Sequence, residues 1–533
     1  MAEISYIDLG VLVLYFGTML AMGSYFARRA KSTEQYFVGG RAYPGWLIGV
    51  SLFGATISSI TFVAYPADAF KTAYVRYLIC IMLPIGVFIA TRLFVPFFRR
   101  GKVTSVFEYL EGRFGPGTRL YGASVFMLAQ CIRISMIQFL VALLMARLTG
   151  WSVPACILIG GIITAYYTIV GGIEAVIWTD FIQSAILTLG GLLILGTILV
   201  KLPGGLSEGV SQFFSVAWAD GKFGLSQLNA QGELQPIGRG ISISEKTVFM
   251  LLIVGLFQWL AEYSTNQENI QKYCASKSAH DARSAMWICC WTCVPTWGYF
   301  MLVGTGLYVF YKQFPDPMAQ EMLTGARKAE EILPYFVKTQ LPVGLSGIVI
   351  AAVLAAAMSS MSSAMNSISA VAITDVYKRH LATKRDDKHY VIVAKALTLV
   401  SSIIMILGAY WLYRAQSKTL QDLWTELQSI VAGGLLGLYM LGFFSTRGDG
   451  RAVAIGILFA VVWSALISLA GLGWWLPASL SDSIKANFES YYTGIISNVV
   501  MFVVGYGMSF LLPKRPRDLT NLTVWTQDNE PLT

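Results

Sequence analysis

The sequence predicts an all-α polytopic membrane protein of about 13 transmembrane helices, and three observations carry that prediction. Of 533 residues, 55% are hydrophobic and only 13% are charged, with a mean hydropathy of +0.60. A soluble domain with one anchor does not have this composition. Apolar runs of about 20 residues recur from end to end, each long enough to span the hydrocarbon. Basic residues fall at every second gap: Arg28, Arg29 and Lys31; Arg99, Arg100 and Lys102; Lys272, Lys277 and Arg283; Lys378, Arg379, Lys384 and Arg385; Arg447 and Arg451; Lys514, Arg515 and Arg517. This positive-inside pattern predicts a plasma (inner) membrane protein with its N-terminus outside and its C-terminus cytoplasmic. The net charge of +9 is thus spread over loops rather than gathered into a nucleic-acid patch, and the expected partner surface is the lipid bilayer.

The first run, residues 6–26, is too long for a cleaved signal core, has no basic residues before it and is expected to be a retained extra helix. The next, residues 45–61 (GWLIGVSLFGATISSIT), crowds Gly54, Ala55, Thr56, Ser58, Ser59 and Thr61 where a lipid-facing span would carry Leu and Ile. Small and polar residues at bilayer depth suit either close helix packing or a locally unwound helix that offers carbonyls to a bound solute. A span at 77–98 and an amphipathic connector lead to a span at 120–148 that carries Arg133 near its middle. A charge there must face a partner within the bundle or a cavity, where a guanidinium could take a carboxylate through paired hydrogen bonds.

Gly171 and Gly172 end the following span, and Asp180 lies near the start of the next, where an N-cap role is the ordinary expectation. The mixed-charge gaps at 202–245 and 312–345 are expected outside. Between them, a span at 246–263 gives way to STNQENIQKY, with Glu262, Tyr263, Asn266 and Gln267 ending the apolar run, and a further span covers 286–311.

Residues 351–369, AAVLAAAMSSMSSAMNSIS, place Ser359, Ser362, Ser363 and Asn366 on one helical face, flanked by Ser360. Back-bonded serines in a small-residue packing surface would explain part of this. Oxygen-only ligands also suit a hard cation, and with Asp180 and free carbonyls from 45–61 the face could cage sodium. Spans at 391–413 and 423–444 follow, the second entered through Trp424, Glu426 and Gln428, and spans at 453–472 and 493–512 precede an exposed polar tail, 513–533. Interrupted segments five helices apart imply two inverted repeats, 45–200 and 246–444. Seven cysteines show no disulfide or zinc spacing, and the three histidines fall in predicted cytoplasmic loops. With no His or paired-carboxylate constellation in the spans, an enzyme is not expected.

FGATISSITF, YTIVGGIEAVIWTDFIQ, NQENIQKY, GIVIAAVLAAAMSSMSSAMNS and LGFF, in this order, resemble the sodium/solute symporters, a family that includes sodium/glucose cotransporters and bacterial sialic-acid symporters. The likeness covers essentially the whole chain and leans toward the sialic-acid branch. It implies a five-plus-five inverted-repeat (LeuT-type) core and sodium-coupled import of a small organic solute by alternating access. The solute it implies is a carboxylated sugar such as sialic acid; the alternatives are a neutral sugar or monocarboxylate, or a proton-coupled carrier of the same fold. It also implies a first sodium site at the carbonyls of Gly54, Ile57 and Ala356 with the hydroxyls of Ser359 and Ser360. A second would use Asp180, Ser359, Ser362 and Ser363, giving two sodium ions per cycle. The implied solute contacts are Thr56, Ser58, Thr61, Cys80, Arg133 and Gln428, and the implied inner gate is Glu262 with Tyr263. Cys80 stands where those relatives carry a glutamine, with Arg76 one turn toward the outside, and Glu262 stands near an aromatic position of the sugar transporters.

Overall fold

The computed structural model describes residues 5–28, 32–100, 104–229, 233–415, 434–472, 477–513 and 517–526. The helices that form the bundle are α1 (Tyr6–Phe26), α2 (Gly45–Thr56), α3 (Ser59–Lys71), α4 (Leu83–Arg100), α5 (Pro116–Thr149), α6 (Val153–Lys201), α7 (Val248–Ser264), α8 (Gln267–Cys274), α9 (Ala279–Gln313), α10 (Leu345–Val371), α11 (Asp387–Ala415), α12 (Leu435–Phe444), α13 (Gly450–Leu472) and α14 (Thr493–Leu511). Among the described residues, nine helical segments are long and apolar enough to cross a membrane, or up to eleven if each of two bent pairs counts as one span. The chain is accordingly a polytopic, nearly all-helical membrane protein. The exception is a two-stranded hairpin, Ser226–Leu228 with Leu234–Pro236, in the connector after α6.

Both bent pairs occur where polar residues interrupt apolar runs. The bends are 58° between α2 and α3 and 53° between α7 and α8. The glycine pair expected to end a span does so as a kink within α6, where Gly172 has φ 60° and ψ −155° and two helical stretches meet. Only glycine fits there, because a Cβ would lie 2.9 Å from the Tyr36 carbonyl oxygen. Helix resumes at once after the break, so Asp180 lies well inside it and not at an N-cap.

The serine-rich α10 is the centre of the bundle. Its most apolar window is 94% buried, and it packs against α1, α2, α5, α6 and α11. Its N-terminus is held by the extra helix: Asp8 Oδ1 accepts from the backbone N–H of Gly344 (2.8 Å) and Gly347 (2.7 Å) and from the Ser346 hydroxyl (2.9 Å). The far end of α3 is capped by a buried lysine from the loop after α6: Lys222 Nζ donates to the carbonyls of Phe70 (2.7 Å) and Thr72 (3.0 Å) and sits 3.9 Å from the Tyr308 ring centre. The expected exposed tail is partly folded back, with Thr523 buried and Val524 N–H bonded to the Phe443 carbonyl at 2.9 Å.

Candidate functional site

Two extended residues separate α2 from α3: Ile57 (φ −85°, ψ 100°) and Ser58 (φ −101°, ψ 178°). A break of this kind frees carbonyls that a continuous helix would use. Hydroxyls of α10 meet them. Ser359 Oγ donates to Gly54 O at 2.7 Å and Ser360 Oγ to Ala55 O at 3.0 Å, and both approach Ala356 O, at 3.3 and 3.4 Å. Glycine at 54 lets this backbone lie against α6, since a Cβ would come 2.8 Å from Ser184 Oγ. Four of the five expected first-site residues are thereby brought together, and the carbonyl of Ala55, which the sequence did not single out, joins them. Ile57 lies in the break itself, and no hydrogen bond to its carbonyl forms among the described residues. The donors are neutral carbonyls and hydroxyls, a set that fits a hard monovalent cation.

The expected second site has a different surrounding. Asp180, fully buried, accepts at Oδ2 from Ser51 Oγ (2.6 Å) and from the ammonium of Lys272 (2.8 Å). Lys272 also donates to the Ser51 carbonyl at 3.0 Å. Among the described residues no hydrogen bond joins Asp180 to Ser359, Ser362 or Ser363. Ser362 Oγ instead bonds back to Ser359 O at 3.1 Å, while Asp180 Oδ1 and Ser363 Oγ are buried without a partner. The carboxylate that should neutralise a second sodium already holds a cation, and this set does not fit the ion as the residues stand. The sequence reading had placed Lys272 in a cytoplasmic basic cluster, but its side chain is 1% exposed.

The break between α7 and α8 is closed by its own side chains. Arg133 Nη1 donates to Glu268 Oε2 at 2.9 Å. Asn266 Oδ1 caps the Glu268 N–H at 3.0 Å, and its amide, with that of Asn269, donates to Glu262 Oε1 at 2.9 and 3.0 Å. Gln271 reaches Asn366 Oδ1 at 2.7 Å. Arg133 therefore faces a carboxylate of the bundle at Nη1, with its side chain 21% exposed. Glu268, Gln271 and Lys272 are all functional candidates within NQENIQKY that were not singled out one by one.

A cavity of about 580 Å³ opens on the face that carries the hairpin connector. Its lining includes Gln227, Lys246, Tyr491, Arg76, Asp68, Tyr65, Ala261 and Glu262. Arg76 is paired with Asp68. Of the expected solute and gate residues, only Glu262 lines this cavity. Glu262 thus shares a cavity wall with Gln227 of the hairpin. Tyr263 is in the core, 3.5 Å from Cys289 Sγ. Cys80 is buried beneath the wall, 3.2 Å from the Tyr65 hydroxyl. Ser58 and Thr61 are buried at the break, and Thr56 Oγ1 bonds back to Leu52 O at 2.8 Å. Gln428 lies outside the described residues.

Comparison with known proteins accords with this geometry. A family model described as the sodium:solute symporter family matches residues 36–465. The sodium/sialic acid symporter SiaT of Proteus mirabilis (strain HI4320) is 31% identical over 507 residues, covering 94% of this chain and 95% of that protein. The sodium/sialic acid symporter NanT of Aliivibrio fischeri (strain ATCC 700601 / ES114) is 31% identical over 502 residues, covering 93% and 91%. A solved structure of a Na⁺-coupled sialic acid symporter in a substrate-bound outward-open state superposes with a TM-score of 0.82 at 29% identity, over 96% of this chain and 98% of that one.

Proposed function

Because this chain belongs to the sodium:solute symporter family, we propose that it imports a small carboxylated sugar of the sialic-acid type together with sodium, by alternating access. The observation that carries the proposal is the contact between the α2–α3 break and α10. Neutral oxygens of Gly54, Ala55, Ala356, Ser359 and Ser360 converge there. Sodium bound among them would hold the broken helix against α10. An ion biases a conformational equilibrium only through its different affinity for the two states, and a site split between a hinged helix and a buried one supplies that difference.

Two broken pairs five spans apart support the five-plus-five inverted repeat. The 49-residue α6 would run about 74 Å if straight, more than twice the hydrocarbon thickness of about 30 Å. Counting it as two spans, with the short apolar α12 as a further one, supports about 13 spans in all. The basic clusters support an inner-membrane orientation with the N-terminus outside and the C-terminus cytoplasmic. The cavity would then be the outward vestibule, with Glu262 in its wall. Arg133 is the proposed carboxylate anchor, and its Nε and Nη2 make no hydrogen bond among the described residues.

The pairing of Arg133 with Glu268 also favours a second reading, in which the arginine is structural and the solute is a neutral sugar. Uptake into proteoliposomes under an inward sodium gradient separates the two, with labelled sialic acid, a hexose and a monocarboxylate assayed in parallel. Sialic acid accumulation that needs sodium and is lost in Arg133→Ala is the expected result. Hexose accumulation spared by Arg133→Ala would move the chain to the sugar branch.

A further inference from the structure

The Asp180–Lys272 pair is not part of the two-sodium arrangement. Both side chains are buried to the last few per cent, and the ammonium lies 2.8 Å from the carboxylate and 3.0 Å from the carbonyl of Ser51. Carboxylate and carbonyl oxygens around a compact positive charge resemble the surroundings of a bound alkali cation, and here the cation is covalently part of the chain. A sodium ion added to the same carboxylate would sit roughly 4 Å from the ammonium. Two like charges at that distance in a protein interior weaken binding by about a thousandfold. What remains for such an ion is one carboxylate oxygen and the hydroxyl of Ser363, both buried and without partners.

We infer that the Lys272 ammonium takes the place of a second sodium ion at Asp180, so that this transporter couples a single sodium, bound at Gly54, Ala356, Ser359 and Ser360. Bulk ions would not be needed to balance the buried carboxylate, and the solute gradient sustained at a given sodium gradient would be that of a one-ion carrier. The inference rests on the symporter reading above.

The test counts ²²Na⁺ bound per purified full-length chain at saturation, which needs no knowledge of the solute. Wild type should bind one ion, Lys272→Met two, and the charge-balanced double variant Lys272→Met/Asp180→Asn one. A wild type that binds two ions overturns the inference and leaves the symporter reading intact. A wild type that binds none overturns both. A Lys272→Met protein that melts like wild type but still binds one ion also overturns it. If that single variant does not fold, because Asp180 is left unpaired, the wild-type count and the double variant decide the matter between them.

Discussion

The two broken helices are closed in opposite ways. At the α2–α3 break the freed groups meet only neutral hydroxyls of α10. At the α7–α8 break they meet glutamate, arginine and amide side chains bound to one another, with Arg133–Glu268 at 2.9 Å. A break satisfied by neutral oxygens still has capacity for a cation. A break whose charges already neutralise one another has less capacity of that kind and is braced by them. Similar bends, 58° and 53°, thus carry neutral oxygens at one break and paired charges at the other.

The comparison would be broken most sharply by the brace. Glu268→Ala leaves Arg133 beside an emptied, buried position, and losing one partner of such a pair costs about 3 kcal/mol or more. The purified variant should melt several degrees below wild type whether or not sodium is present. If it melts normally, the second break is not held by its charges. A smaller and different effect is expected at the binding site. Ser359→Ala removes a hydroxyl worth about 1–2 kcal/mol, which should raise the sodium concentration for half-maximal uptake roughly 5- to 30-fold with little change in melting. Ser360→Ala, whose bond to its carbonyl is longer, should do the same more weakly. A loss of stability in either variant equal to that of Glu268→Ala would erase the distinction between the breaks.

The smallest effect concerns the buried charge that caps the far end of α3. Burial pushes the Lys222 ammonium down to about 7 from its usual 10.5. The fold sheds this proton above about pH 7, whereas the unfolded chain keeps it to about 10.5. The unfolded state binds more protons across that window, and the group makes the fold more stable as pH rises from 7 toward 10. Melting curves of Lys222→Met should lose that part of the rise, and an unchanged pH profile would remove Lys222 from the account.

The spans, the first break and the serine face were legible in the sequence because periodicity and local composition determine them. Helical spacing picks out Ser359 together with Ser362, Ser363 and Asn366, and Ser360 stands beside that face, its pairing with Ser359 implied by the family resemblance. Asp180 was found as a carboxylate in an apolar run, but its partner was not. Lys272 looked like one more cytoplasmic lysine, because the polarity of NQENIQKY reads equally as a loop or as a buried network. The pairings that decide between these join Lys272 to Asp180 and Arg133 to Glu268, 92 and 135 residues apart, and no local pattern encodes contacts at that separation. A signal did exist: Gln267, Glu268, Gln271 and Lys272 alternate with Ile270 and Tyr273 in a segment flanked by membrane-length runs, a position where side chains often have nowhere to go but inward.

The bonds from Asp8 give the first helix a mechanical part in the molecule. One carboxylate oxygen gathers three donors at the N-terminus of α10, so the helix carrying the serines is pegged at one end to α1. A pegged, buried helix is an anvil. Sodium arriving at the α2–α3 break, as proposed, would act against a body that cannot yield, and the hinge rather than the anvil would move. Trimming the chain before α2 would remove that peg along with the first span.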